Sequence, residues 1–358
     1  MWKTAANSFL LLLMIVSLFQ LLFPEEFLYA EETIVCIKPD GSVVPSTAPI
    51  QRNGNVYTLT GDVNTTVMIQ KSHVVFDGSG FRVFGRGWDK TVDGLVLENI
   101  VNVTVEHVKV SNFYWGVRLF QCSGIVLFEN EMLENAYGIH PNWSNNSLAI
   151  RNKVKANIGG GVYLTNSFNI TFENNMIISN NYYAMRITNC ENCTLKRNVV
   201  VHNFGSGIHF MNSNNNKAYN NILLNNTYDA INADAVNIWD DGYPTGGNYW
   251  GLYSGSDLFS GTNQDAPGSD GIGDTPYIID SSNRDRYPLM KPLPLAVRGD
   301  VNYDGIVDIL DVAAMASIYH TKEGENGWMP QADLASPYGI IDIYDIVTCI
   351  SHYHEEFP

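Results

Sequence analysis

Two sets of residues in this chain have types and spacings that could do chemistry. The first lies near the C-terminal end. Asp300, Asn302, Asp304, Asp308 and Asp311 stand at positions 1, 3, 5, 9 and 12 of one run, and Ile306 at position 7 can add its backbone carbonyl. Gly305 sits where such a run must turn sharply. Calcium takes about six to eight oxygen ligands, and this spacing wraps them around a single ion. Calcium is therefore the expected cofactor. The second set is dispersed: Arg118, His140, Tyr163, Arg186, His209 and Asn232 recur at steps of 22 or 23 residues. If they stack, their guanidinium, imidazole, phenol and amide groups offer hydroxyl-pairing donors and planes for sugar rings, a substrate-binding surface for polysaccharide. Arg186, His209 and Tyr163 are also the catalytic candidates, a base beside a charge stabiliser as elimination from a uronic acid would need. A glycoside hydrolase would instead need converging carboxylates. Asp229, Asp234, Asp240 and Asp241 are the best acidic group, placed where they could equally cap the end of a repeat. Binding without catalysis, lyase and hydrolase readings all stay open.

Residues so far apart in sequence are brought together only by a repeat. His107, Asn130, Asn152, Asn175, Asn198 and Asn221 form one column, and Asn112, Asn135, Asn157, Asn180, Asn203 and Asn226 another five residues later. Gly116, Gly138, Gly161, Ala184, Gly207 and Ala230 form a third. A fixed period of this size marks a solenoid. Within it, segments such as Asn169–Glu173 alternate apolar and polar residues, which is strand periodicity. The chain is expected to be all-β, a parallel β-helix of 22–23 residues per coil, with equivalent residues about 4.8 Å apart. Asn suits left-handed corners, and stacked Asn side chains can hydrogen-bond between coils. Coils are expected from Val74 to about Ile238, after an irregular cap from Ile34 to about Thr60. The irregular stretch 240–291 would close the other end, where an open coil exposes a sheet edge.

Four parts follow: a secretory signal over 1–30, the capped β-helix over 31–291, a Pro-rich linker over 292–298 and a small α-helical calcium domain over 299–358. Lys3, the apolar run Phe9–Phe23 and the ending Leu28-Tyr29-Ala30 carry the signal reading, and no later stretch is long enough to span a bilayer. A net charge of −16 argues against nucleic acid and anionic membranes as partners. The expected location is secreted, extracellular or at the cell surface. Five scattered cysteines make no disulfide scaffold.

The coils, the Val75-Phe76-Asp77-Gly78 entry, Gly247-Asn-Tyr-Trp-Gly251, Asp270–Tyr277 and Asp285–Met290 together resemble the NosD-type family over about Val56–Met290. The resemblance implies a right-handed β-helix grouped with carbohydrate-binding and sugar-hydrolysing repeats; function must still be argued from the site. It also implies, as the least favoured reading, a helper in metal maturation. His140 and His209 lie three coils apart, about 14 Å, too far to share an ion. The calcium loop ends in Asp311 where the usual EF-hand ends in Glu, and so resembles a dockerin module, which implies a cohesin-like partner. A second half, Asp333 to Asp345, keeps Gly339, Asp342 and Asp345 but has no acid or amide side chain at the third and fifth positions. Weak or absent calcium binding is expected there. The function expected is a protein that binds or processes extracellular polysaccharide on its β-helix face and docks through its C-terminal domain; the alternative is a non-enzymatic surface scaffold.

Overall fold

A computed structural model describes residues 34–88, 92–293, 297–325 and 327–355; the expected signal segment lies outside them. The alternating segments form three sheets, of ten, nine and eight strands, with successive coils pairing in parallel and in register. The eight-stranded sheet is parallel throughout, one strand per coil, from Arg82–Phe84 to Tyr249–Trp250. Its inward column, Val83, Val110, Met132, Val154, Ile177, Val200 and Leu223, is fully buried. Burial of each such side chain contributes at most about 1.5–3 kcal/mol, and stacking like on like keeps every coil the same width.

The Asn columns are ladders inside the corners. The backbone N–H and the Nδ2 of Asn152 both donate to Oδ1 of Asn175, and its Nδ2 also donates to the Leu127 carbonyl. One side chain thus satisfies backbone groups that the bend removes from the sheets, which a buried corner requires. The left-handed residues are not these asparagines but the ones just before them: Glu129, Arg151, Asn174 and Arg197 have φ near +55°. The expected columns also shift at their starts. Val108 donates to Asn130 and Phe113 to Asn135, so His107 and Asn112 are left-handed corner residues rather than rungs.

Each ladder needs an acceptor at its open end, and the irregular stretch after the last coil supplies two of them. Asn248, next after Asn221, donates to Asp285; Asn237, which accepts from Asn216 in a further ladder, donates its backbone N–H to Asn283. The third ladder ends locally, on Asp229 beneath Asn226. At the other end the expected irregular cap is partly a coil. Val35–Ile37 pairs in parallel with Val67–Ile69 and Val56–Leu59 with Val74–Asp77; only Val43–Val44 and Ile50–Asn53 turn back antiparallel to cover the edge.

Beyond Val297 the chain forms two helix-and-loop halves. Helix α1, Ile309–Ser317, is N-capped by Asp308 with Asp311 completing a capping box; α2, Ile343–Ser351, is capped in the same way by Asp342 and Asp345. This small unit packs onto the last coils of the eight-stranded sheet. Val301, Tyr303, Val307, Met315, Ile341 and Cys349 share one buried cluster with Met176, Ile178, Val199, Val201 and Ile222. In the expected linker, Val297 is itself part of that cluster, while 294–296 lie outside the described residues.

Candidate functional site

The outward face of the ten-stranded sheet carries the dispersed set. Arg118 pairs with His140, Tyr163 with Arg186, and Arg186 with His209 across neighbouring strands. Asn232 does not join them. The last step is one residue shorter, so His209 faces Ile231 and Asn232 stands opposite the core residue Phe210. Arg118 is also committed elsewhere: Nε meets Asp93 at 2.6 Å and Nη2 meets Glu98 at 2.7 Å, which neutralises it in place.

Around the remaining members lies an aromatic cluster that the column alone did not announce. Trp115, Tyr137 and Tyr183 sit three residues ahead of Arg118, His140 and Arg186, and that offset is the signal in the sequence. The His140 ring stacks on Trp115 at 4.0 Å and on Tyr163 at 5.3 Å. Trp115 meets Tyr137 at 4.5 Å. Tyr183 reaches Tyr137 at 6.2 Å across Gly160, whose missing side chain leaves the room: a Cβ there would come within 2.4 Å of the Tyr183 ring. Arg186 closes the row, its guanidinium 5.5 Å from the Tyr163 ring and 5.9 Å from that of Tyr183. His140 Nδ1–H donates to the Tyr163 carbonyl at 2.7 Å, and burial holds its pKa below the usual imidazole value. Burial, and then Arg186, lower that of His209 as well. Both rings are thereby favoured neutral near pH 7. A neutral imidazole beside a fixed guanidinium can accept a proton, and flat rings in a row can take a chain of sugars.

Three of the four acidic candidates are engaged in the structure, while Asp234 is an exposed left-handed corner residue. Asp229 accepts from Asn226, Asp240 holds Arg286 at 2.6 Å and Asp241 pairs with Lys217. Burial pushes Asp285, the foot of a ladder, up to about 7.

The C-terminal loop is held by hydrogen bonds from its own backbone to Asp300, Asn302 and Asp311. Asp311 Oδ1 accepts the N–H groups of Val301 and Asn302, and Oδ2 that of Asp308. Asp300 accepts from Asp304 and Gly305, and Asn302 from Asp304. Asp300 and Asp311 are 1% and 0% exposed. Burial, with Asp311 alongside, pushes Asp300 up to about 7. Buried carboxylates held together by the loop's own amides, with side-chain and carbonyl oxygens beside them, are a donor set that suits a hard cation such as calcium. The second half repeats the frame without the donors. Asp345 accepts from Leu334, Ala335 and Asp342, and Asp333 from Gly339. Ala335, however, stands where the first loop has Asn302, and Tyr338 where it has Asp304.

The family model described as periplasmic copper-binding protein (NosD) matches residues 51–255. The chain belongs to the NosD family. No curated protein matches it. Among solved structures, the periplasmic alginate epimerase AlgG is 22% identical with a TM-score of 0.37, covering 44% of this chain and 36% of the epimerase. Tailspike protein 2 from Escherichia coli O157:H7 bacteriophage CAB120 is 14% identical with a TM-score of 0.41, covering 63% of this chain and 38% of the tailspike. An alginate lyase from Paenibacillus sp. str. FPU-7 is 12% identical with a TM-score of 0.23, covering 52% of this chain and 92% of the lyase. This NosD-family chain thus spans little more than a third of the length of the epimerase and of the tailspike.

Copper, named in the family description, does not fit the His, Cys, Asp and Glu groups among the described residues. Among the described residues the group of three ligand types within reach of one another is Asp77, Glu106 and His107. Both ring nitrogens of His107 are already engaged, by Asp77 at 3.3 Å and Glu129 at 3.2 Å. One occupied imidazole among carboxylates lacks the thiolate, thioether or multiple-imidazole set that selects copper. Among the described residues, no helix is long and apolar enough to cross a membrane.

Proposed function

We propose that this protein works outside the cytoplasm and holds extracellular polysaccharide along the ten-stranded face of its solenoid. The observation that carries the reading is the continuous ring row Trp115, Tyr137, His140, Tyr163 and Tyr183, ended by Arg186. Successive rungs about 4.8 Å apart suit an extended sugar chain, and aromatic planes with one cation suit rings that carry hydroxyl or carboxylate groups. Tyr163, Arg186 and His209 are the groups that would act if the bound chain is cleaved, by elimination rather than hydrolysis, since Asp229, Asp240 and Asp241 are engaged by Asn226, Arg286 and Lys217. Asp300, Asn302, Asp304, Ile306, Asp308 and Asp311 would hold one calcium ion in a dockerin-like module. The exposed helix residues Ile309, Leu310, Ile343, Tyr344, Val347 and Ile350 would meet a cohesin-like partner.

The test uses the full chain with calcium and a panel of acidic and neutral polysaccharides, reading both retention and release of reducing or unsaturated ends. Binding of one class, lost in Trp115→Ala with Tyr163→Ala, is the expected result. Retention unchanged by that double substitution would remove this face from the reading.

A further inference from the structure

The outward residues of the eight-stranded sheet change character along the solenoid axis. Arg82, Lys109, Glu131 and Lys153 occupy one outward column on the early coils, and Met176, Val199, Ile222 and Tyr249 continue it in register. Beside it, Ser111, Leu133 and Lys155 give way to Ile178, Val201 and Leu224. A solenoid face left in water carries polar residues, so an unbroken apolar block marks a seat.

What occupies the seat is the C-terminal loop itself. Tyr303, at the loop's tip, is 1% exposed, and Val301 and Val307 flank it in the same buried cluster. Gly305, with φ at +92°, lies so close to the sheet that a Cβ there would stand 2.8 Å from Lys153 Nζ and from Met176 Sδ. Lys155 Nζ donates to the Asp304 carbonyl and His202 Nε2 meets the Asn302 carbonyl, both at 3.3 Å. The residues whose side chains are placed for an ion, Asn302 and Asp304, are thus the residues whose backbone the solenoid grips.

We propose that calcium binding and seating of the C-terminal unit on the solenoid are one linked equilibrium. This rests on the calcium reading given above. The ion sets the loop shape that the strip fits, and the strip holds the loop in the form the ion needs. Withdrawal of calcium frees the unit and bares Met176, Ile178, Val199, Val201 and Ile222, an apolar strip that no coil before it presents. Linkage is reciprocal, so loss of the seat must weaken calcium by the same factor by which loss of calcium weakens the seat.

The test is calorimetric titration of calcium into the full chain, wild type against Val201→Asp and Val199→Lys, with circular dichroism confirming that the sheets persist. Neither substitution touches a loop ligand. The expected result is calcium binding weakened about tenfold or more in both, and a larger radius of gyration for wild type in EGTA than in calcium. Should a charge on the strip unsettle the coils, Lys155→Ala with His202→Ala removes only the two polar contacts and shifts affinity in the same direction by less. Calcium bound with unchanged affinity in the strip variants, or no expansion in EGTA, overturns the linkage and leaves the calcium reading standing. No calcium uptake by wild type overturns both.

Discussion

The ten-stranded and eight-stranded faces are built from the same coils at the same spacing, yet one is open and the other covered. On the open face large side chains cover one another. Trp115, Tyr137, His140, Tyr163 and Tyr183 stack ring on ring; Trp115, Tyr137 and Tyr163 stay partly exposed, with His140 and Tyr183 buried among them. On the covered face the outward residues of the late coils are aliphatics, Met176 and Tyr249, which are buried or half-buried because a second unit lies on them. A solenoid can therefore carry apolar groups outward in two ways: wide flat rings that leave a usable surface, or aliphatic strips that demand a partner.

The same truncation on each face separates them. Tyr303→Ala, on the covered side, removes a fully buried ring from the seat. It is expected to cost about 3–5 kcal/mol of the unit's attachment, read as a new low-temperature unfolding transition or early proteolysis of the C-terminal unit. Tyr163→Ala, on the open side, leaves a half-buried position. Its expected signature is polysaccharide affinity lowered about tenfold, roughly 1.4 kcal/mol, with a melting temperature close to wild type. If Tyr163→Ala instead melts the coils, the ring row is structural and the open face loses its claim to a ligand.

The pH dependence sharpens the picture of the open face. His140 is buried between Trp115 and Tyr163, and burial lowers its folded pKa. The unfolded chain takes up the proton first, near pH 6.5. The stability that the neutral ring contributes is present above that value and is lost as pH falls through the folded pKa. His140→Gln is expected to flatten the fall in melting temperature below about pH 6.5, and an equal fall in both proteins would show that the ring is not held neutral.

Much of this was legible from spacing, for a physical reason: every coil solves the same corner, so the Asn rungs and the inward column recur. The covered strip obeyed the same period. Met176, Val199 and Ile222 could not be told from surface by spacing alone, because strand alternation tells which residues share a face but not which face has a neighbour. Trp115, Tyr137 and Tyr183 were hidden by the bend that puts residues three apart on one surface. Asn232 was misplaced because a single missing residue slips everything after it to the other side of the sheet. The spacing of the proposed calcium loop is visible in the sequence because its residues are local, whereas the loop's contacts with Lys155 and His202 join residues 149 and 100 positions apart.

The smallest effect is expected where the module's two halves differ. Asp333 keeps the position of Asp300 and one of its backbone contacts, to Gly339, but its other oxygen has no hydrogen-bonding partner and no side chain supplies the third position. Asp333→Ala therefore forfeits about one hydrogen bond, roughly 1 kcal/mol, partly offset by removal of a carboxylate that burial penalises. Calcium stoichiometry should stay at one per chain, while Asp300→Ala, in the half with the full donor set, should abolish it. A stoichiometry of two in wild type that falls to one in Asp333→Ala would mean that the frame alone, with backbone carbonyls and water, suffices to hold an ion. The seat on the solenoid would then depend on which half faces it, not on which half binds.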